Sequence, residues 1–209
     1  MLLSFSAATV VLVMLPGPNL LYIVGNGISG GRRAALASAV GVELGTLVHV
    51  IAAAVGLSAI LQSSAVTFST IKYLGVAYLG YLGIKALRTT PHDQPSVAAA
   101  PQSTSRVMGR GLIVNVLNPK VSLFFLAFLP QFIDGQQGSA SQQILVLGAV
   151  FFAIALTIDL IYAIGSGSLG RWLSRRPKLF RQQERIAGVV YLGLAGIAAA
   201  QGGHKPATS

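Results

Sequence analysis

Two short proline-containing clusters each lie inside a long apolar stretch, one in each half of this 209-residue chain. The first is Pro16-Gly17-Pro18-Asn19 and the second is Asn118-Pro119-Lys120. Proline removes a backbone donor and its ring clashes with the preceding turn, so each cluster should interrupt a helix. In hydrocarbon, the carbonyl groups freed by such a break must be satisfied by protein or by trapped water. Interrupted helices at corresponding places in two halves of a membrane protein are typical of a transporter's substrate site.

The composition indicates a membrane protein. Hydrophobic residues make up 53% of the chain, charged residues only 10%, and the mean hydropathy is +0.70. Soluble domains carry about 25% charged residues, so lipid should solvate most of this chain. The net charge of +10 does not indicate nucleic acid, because the basic residues lie in loops between apolar segments, where anionic lipid attracts them. The first basic residue is Arg32, so the opening apolar run predicts a retained span and not a signal peptide.

Six segments are long and apolar enough, or nearly so, to cross a hydrocarbon core about 30 Å thick. They are residues 2–24, 34–61, 68–88, 111–132, 144–169 and 183–201. The stretch between the third and fourth is rich in Pro, Ser and Ala and predicts a flexible linker. The sequence thus predicts an all-α membrane protein with six transmembrane helices, the first and fourth interrupted. It forms a single transporter domain, with repeat one at 1–88, a linker at 89–110, repeat two at 111–201 and a tail at 202–209.

The basic residues predict the orientation of the chain. Twelve of the fifteen lysines and arginines lie in or beside the loops that follow spans one, three and five. By the positive-inside rule these loops are cytoplasmic and both termini face outward.

The two halves also resemble each other in sequence. The segments beginning at Lys72 and Arg185 share identical residues at an offset of 113, among them Gly75 with Gly188 and Gly83 with Gly196. Glycine-rich membrane helices can match by chance, but the helix before each segment also carries one acid. Three spans per repeat force the second copy to enter the membrane from the opposite face. The pattern therefore predicts an inverted repeat.

Three ionisable residues lie near the predicted membrane midplane. At 1.5 Å per residue, Glu43, Lys120 and Asp159 are each roughly 14–15 Å from the nearer end of their spans. An ionisable group at that depth costs about 2.5–3.5 kcal/mol on insertion scales and is functional by default. Glu43 and Asp159 are therefore candidates for proton coupling. The alternative is a fixed pair of Lys120 with either acid that only locks helices together.

The remaining polar positions have two interpretations each. Asn19, Asn115 and Asn118 either contact the substrate or form hydrogen bonds between helices. His49 is either a proton relay or a packed side chain. Gly41-x-x-x-Gly45 either mediates dimerisation or lets helices of one chain pack closely.

Other classes of function find little support in the sequence. The GNGISG segment predicts a loop, with Gly27, Gly30 and Gly31 forming a tight turn before Arg32 and Arg33. No strand–helix unit surrounds it and no Walker sequence occurs, so the sequence predicts neither a nucleotide nor another cofactor. Acids without His, Cys or Met clusters argue against a soft-metal site. A membrane-embedded enzyme would need a catalytic constellation that is not present in the sequence. An ion or metal permease, or a passive channel, is the stronger alternative to a carrier.

Three stretches resemble the LysE/RhtB family of bacterial amino-acid exporters: LPGPNLLYIVGNGISGGRRAALASAVGVELGTLVHV, KYLGVAYLGYLGIKALR and GLIVNVLNPKVSLFFLAFLPQFID. The resemblance implies export of amino acids or related metabolites across the inner membrane, driven by a proton gradient or the membrane potential, and a homodimer. It also implies which residues form the central site. They are Pro16, Gly17, Pro18, Asn19, Asn118, Pro119 and Lys120, to which the residue pattern adds Asn115.

These lines combine into one mechanistic expectation. Half-helix N-termini and Lys120 should favour the substrate carboxylate, while half-helix C-termini and an acid should favour its ammonium group. Asp159 and Glu43 should exchange a proton as the repeats move between inward-open and outward-open states.

Overall fold

A computed structural model describes residues 1–15, 17–57, 65–88, 103–134 and 138–174, together with separate residues between 185 and 199. All secondary structure in these ranges is helical. Six α-helices are present there: α1 (Leu2–Met14), α2 (Pro18–Ala52), α3 (Ala65–Arg88), α4 (Thr104–Val116), α5 (Pro119–Leu123) and α6 (Ala140–Ser174). A π-helical turn, Ala53–Leu57, continues α2, and a π-helical turn, Phe124–Phe128, and a 3₁₀ turn, Leu129–Phe132, continue α5.

The chain breaks its helices at both predicted clusters, and the prolines explain how. A residue before proline is pushed out of the helical region, and Leu15, Gly17 and Asn118 all have extended backbones. Proline suits the first position of a helix because the N–H it lacks would be unpaired there. Pro18 and Pro119 accordingly begin α2 and α5. The prediction that helices are interrupted at these two places is therefore confirmed.

The long helix α2 consists of two legs. Gly31 has a left-handed φ of 73° inside it, which only glycine adopts without strain at its ψ of −175°. The prediction of a loop over GNGISG is wrong, because these residues are helical up to Gly30 and the turn is confined to Gly31. Residues 28–33 around this turn are exposed. The second leg, at about 30 Å, matches the hydrocarbon core.

Within the described residues, two helices are long and apolar enough to cross a membrane, Pro18–Gly56 and Ala140–Ser166. The pair Thr104–Val116 and Pro119–Phe132, bent by 45° at its break, is a third if it forms one span. Helix α3 covers the predicted third span. The predicted sixth span, 183–201, lies largely outside the described residues, as does most of the predicted linker, 89–110. The last residues of this predicted linker, from Thr104 onward, are helical and belong to α4.

Close glycine contacts set the spacing of α2 and α4. A Cβ atom at Gly41 would collide with the main-chain carbonyl of Met108, and one at Gly45 would lie 2.9 Å from the Leu112 carbonyl oxygen. From the other side, a Cβ at Gly111 would lie 2.9 Å from the Ser38 carbonyl oxygen. The Gly41-x-x-x-Gly45 face is therefore buried against another helix of the same chain and packs helices closely.

A cluster of phenylalanines forms the core at the end of the bundle that holds the start of α1. Phe124 lies at its centre, with ring centroids 5.7 Å from Phe5 and 5.2 Å from Phe151. All members are buried and in ring contact with their neighbours, and they are Phe5, Phe124, Phe125, Phe128, Phe132 and Phe151. We refer to this set as the phenylalanine cluster.

Candidate functional site

A chain of side-chain amides joins the two helix breaks. Asn118 donates from Nδ2 to Oδ1 of Asn19 at 2.9 Å, and Asn19 donates to Oδ1 of Asn115 at 2.9 Å. Asn115 in turn donates to the Val42 carbonyl at 2.6 Å and to the Thr46 hydroxyl at 2.8 Å. The three amides therefore donate in one direction, from Asn118 to Asn19, from Asn19 to Asn115, and from Asn115 to the middle of α2.

This series of amide hydrogen bonds begins at the second break, where Asn118 caps the start of α5. The side chain of Asn118 accepts the backbone N–H of Lys120 at 3.0 Å, as an N-cap residue does. Its backbone conformation is set by Pro119, which follows it. Because the cap directs Oδ1 of Asn118 toward the Lys120 N–H, its NH₂ group is turned toward Asn19.

Each half-helix that ends at a break receives a basic side chain from elsewhere in the fold. Lys120 Nζ donates to the carbonyl oxygens of Leu12 and Leu15 at the end of α1, at 3.0 Å each. His49 Nε2 lies 3.1 Å from the carbonyl oxygen of Asn115 at the end of α4. The C-terminal carbonyls of a helix lack helical partners and form the negative end of its dipole. The carbonyls of Leu12 and Asn115 also accept the N–H groups of Leu15 and Asn118, so the basic side chains add a second bond there, and Lys120 supplies a partner for the Leu15 carbonyl.

Glu43 and Asp159 lie beside each other. Both line the same cavity and are close enough to interact through their charges, and Thr46 lies one turn from Glu43 on the same lining. Both acids are buried, and Oε2 of Glu43 has no hydrogen-bond partner. Asp159 acts on the Lys120 ammonium through its charge, without a hydrogen bond to it. Lys120 is thus bonded to main-chain carbonyls, and not to an acid in a simple locking pair.

These groups surround a small cavity between α1, α2, α5 and α6. The space they enclose is about 20 Å³, which is room for about one water molecule. The lining combines polar and apolar side chains, and we name these two sets the polar wall and the apolar wall by their chemistry. The polar wall consists of Asn19, Glu43, Thr46, Lys120 and Asp159. The apolar wall consists of Leu12, Val13, Leu20, Val121, Phe151 and Ala155.

The predicted site residues take different positions relative to this cavity. Asn19, Lys120, Glu43 and Asp159 line it. Asn115 and Asn118 are buried behind Asn19 and are not part of the lining. Gly17 adjoins the Lys120 side chain. Pro18 and Pro119 begin the half-helices α2 and α5, and Pro16 lies outside the described residues.

Several lining residues were not anticipated from the sequence. Phe151 and Ala155 precede Asp159 by eight and four residues, so they share its helix face, and Thr46 follows Glu43 by one turn. Counting helical turns from Glu43 and Asp159 along the sequence would have identified Phe151, Ala155 and Thr46. Leu12 and Val13 carried no such signal, because their position depends on how α1 ends.

The described residues contain no group of three or more His, Cys, Asp or Glu side chains that could hold a metal ion. The polar wall offers two carboxyl groups beside an ammonium group. This donor set suits a ligand that carries both charges, and not a metal ion.

Comparison with known proteins places these features in a family. The profile of the LysE type translocator family matches residues 10–202. A leucine efflux protein from Klebsiella pneumoniae is 32% identical over 202 residues, covering 92% of both chains. One from Enterobacter sp. is 31% identical over 192 residues, covering 88% of both. A relative named "Uncharacterized membrane protein" from Vibrio cholerae is 29% identical over 191 residues, covering 91% of this chain and 92% of its own. No solved structure matches the chain.

Proposed function

This chain belongs to the LysE type translocator family, and we propose that it exports neutral aliphatic amino acids from the bacterial cytoplasm. Family membership makes it a membrane transporter and not an enzyme. The names of two relatives, both leucine efflux proteins, support an amino-acid substrate. We place the chain in the inner membrane as a multi-pass secondary transporter.

The observation that carries the proposal is a cavity lined by both charged or polar side chains and apolar ones. The start of α2 has main-chain N–H groups without helical acceptors at Asn19 and Leu20, and both residues line the cavity. The positive end of a helix dipole favours the substrate carboxylate there. Glu43 and Asp159 favour its ammonium group. The apolar lining residues, among them Phe151, then receive an aliphatic side chain.

The cavity as it stands is closed to an amino acid, since it holds about one water molecule. Transport therefore requires its walls to separate. On one side it is closed by the phenylalanine cluster, which shares Phe151 with the cavity wall. In the other direction along α2 and α6 the packed side chains are small, as where Gly27 packs against Ser166. We expect substrate to enter from this second side, where small residues are more easily separated than the phenylalanine cluster.

The distribution of basic residues supports entry from the cytoplasm. Arg32 and Arg33 lie at the exposed turn after Gly31. The hydroxyl of Tyr22 donates to the carbonyl of Val107, which brings the start of α4, with Arg106, to the same end of the bundle. By the positive-inside rule this end is cytoplasmic. The start of α1 and the phenylalanine cluster then face outward.

We further propose six spans arranged as two inverted three-helix repeats. In this arrangement α1 and the first leg of α2 make span one, and α4 and α5 with its continuation make span four. Gly83 on α3 packs against Gly188 and Leu192, while Leu87 packs against Gly188. As the numbering rises on one segment it falls on the other, so the two run antiparallel. Antiparallel third helices are what an inverted repeat requires.

The acidic pair provides a means of coupling export to protons. Two buried carboxyl groups that share one site favour a state in which one of them carries a proton. With that proton in place, one carboxylate balances the Lys120 ammonium and the closed cavity is neutral. We propose that the substrate ammonium displaces this proton during the cycle and that the proton returns after release. A homodimer remains a prediction of the family resemblance.

Efflux from cells tests the substrate class. Cells that express the chain and are challenged with toxic leucine should grow, with a measured fall in intracellular leucine, whereas lysine challenge should not be relieved. Ala155→Val adds bulk to the apolar wall without touching a polar group, so it should impair export of leucine more than export of alanine. Relief from lysine but not leucine would contradict the proposal. Leucine export that never depends on a gradient would instead favour the passive channel.

A further inference from the structure

The contact between Lys120 and the end of α1 resembles an ion site more than a substrate contact. The Lys120 side chain comes from the other half of the chain, 108 residues from Leu12 and 105 from Leu15. Its Nζ atom lies 3.0 Å from both carbonyl oxygens. Lys120 is only 5% exposed, so little water competes for these bonds.

The carbonyls that bind Lys120 have the chemistry of a monovalent-cation site. They lie at the C-terminal end of a half-helix, where the dipole is negative. Leu15 follows the last helical residue, Met14, and is followed by Pro16, which has no N–H to offer. Unwound carbonyls and half-helix C-termini coordinate small cations in transporters with broken helices. In this chain, the cation that these carbonyls coordinate is the ammonium group of the Lys120 side chain.

The space around the ammonium group also fits a small ion. Gly17, on the far side of the break, has no side chain, and a Cβ there would lie 3.5 Å from Nζ of Lys120. Asp159 supplies an opposing charge without a hydrogen bond. The ammonium group thus has two carbonyl ligands, one acid at longer range and no bulky neighbour at Gly17.

We propose that Lys120 is a built-in substitute for a bound monovalent cation at the end of α1, holding the two halves of the chain together in the closed state. The wild-type chain then needs no free sodium or potassium at this position. Removal of the side chain should uncover a site that takes a small free cation. Only the transport readout of this inference rests on the proposed function.

A matched pair of variants separates charge from packing. Lys120→Ala removes the ammonium group and leaves room for an ion, whereas Lys120→Met fills similar volume without charge. Purified full-length protein in detergent is heated with methylammonium, sodium or N-methylglucamine, the last being too bulky to enter. For Lys120→Ala, we expect methylammonium or sodium to raise Tm by about 3–6 °C at ten times the Kd. Lys120→Met and the wild type should not respond.

A second variant covers the case in which Lys120→Ala does not fold. Because the chain has no cysteine, Lys120→Cys can be modified at a single site. An aminoethyl thiol reagent restores an ammonium group at the lysine position, and an ethyl reagent adds similar bulk without charge. The aminoethyl product should recover wild-type Tm and the ethyl product should not.

Transport in proteoliposomes distinguishes a role of the charge from a role in packing, because a small cation can restore only the charge. Lys120→Ala should lose at least about tenfold in leucine transport and regain most of it with methylammonium, whereas Lys120→Met should regain none. A Tm for Lys120→Ala that no small cation raises, or equal rescue of both variants, overturns the inference. If the wild type transports no amino acid, the proposed function fails while the thermal measurement still decides this inference.

Discussion

At the scale of single residues, the asparagines near the breaks connect helices more than they line the cavity. Asn115 is fully buried and makes hydrogen bonds with Asn19, Val42 and Thr46. Its amide therefore joins α4 to both legs of α2. Of the three asparagines, Asn19 alone reaches the cavity wall.

Asn115→Ala should destabilise the protein much more than Asn26→Ala. The first change removes the acceptor of the Asn19 amide and the donor to the Thr46 hydroxyl, at about 1–3 kcal/mol for each buried group left unpaired. The second removes a single bond from Asn26 to the Tyr22 carbonyl within one helix. Thermal unfolding of the two purified variants in the same detergent measures the difference. Equal losses would show that the amide chain does not couple the helices.

Much of the polar wall was predictable from the sequence, and the apolar wall was not. An acid or a lysine in the middle of an apolar span is conspicuous, so Glu43, Lys120 and Asp159 could be named and expected to meet. Val13 and Phe151 resemble any other apolar residue of a membrane helix. Their place at the cavity depends on the rotation of each helix about its axis, which only packing decides.

At the scale of helices, the breaks were predictable because proline acts locally on its own neighbours. The positions of Pro18 and Pro119 at helix starts follow from their missing N–H groups. The Gly31 turn was predicted as a wider loop, because three nearby glycines, Gly27, Gly30 and Gly31, look alike in sequence. In the fold, Gly27 permits close packing against Ser166 and only Gly31 has a left-handed backbone.

Two glycine-to-alanine substitutions should therefore differ sharply. Gly41→Ala places a methyl group against the Met108 carbonyl and forces α2 and α4 apart, at about 1–3 kcal/mol. Gly17→Ala meets only the flexible end of Lys120 at 3.5 Å, in an extended backbone that any residue adopts. We expect a clear fall in Tm for the first and little change for the second. A larger loss for Gly17→Ala would mean that the break needs glycine for another reason.

At the scale of the whole molecule, the proposal requires that α1 and the first leg of α2 together cross the membrane. Neither part alone is long enough, since α1 has 13 residues and a span needs about 20. The start of α1 and the Gly31 turn must then face opposite sides.

Single cysteines in this cysteine-free chain test that requirement. Ser4 and Ser29 are both exposed, near the start of α1 and before the Gly31 turn. In intact cells, an impermeant maleimide should label Ser4→Cys and not Ser29→Cys, and in inverted vesicles the pattern should reverse. Labelling of both from the same side would show that the first segment is re-entrant.

The central claim is that the acids meeting between the two breaks couple amino-acid export to protons. Its most direct test is leucine accumulation in proteoliposomes under an imposed pH gradient, compared with leucine exchange without a gradient. The wild type should accumulate leucine. Asp159→Asn, which keeps the shape of the side chain but holds no exchangeable charge, should lose accumulation by at least about tenfold while retaining some exchange. Full gradient-driven accumulation by both Asp159→Asn and Glu43→Gln would contradict the claim.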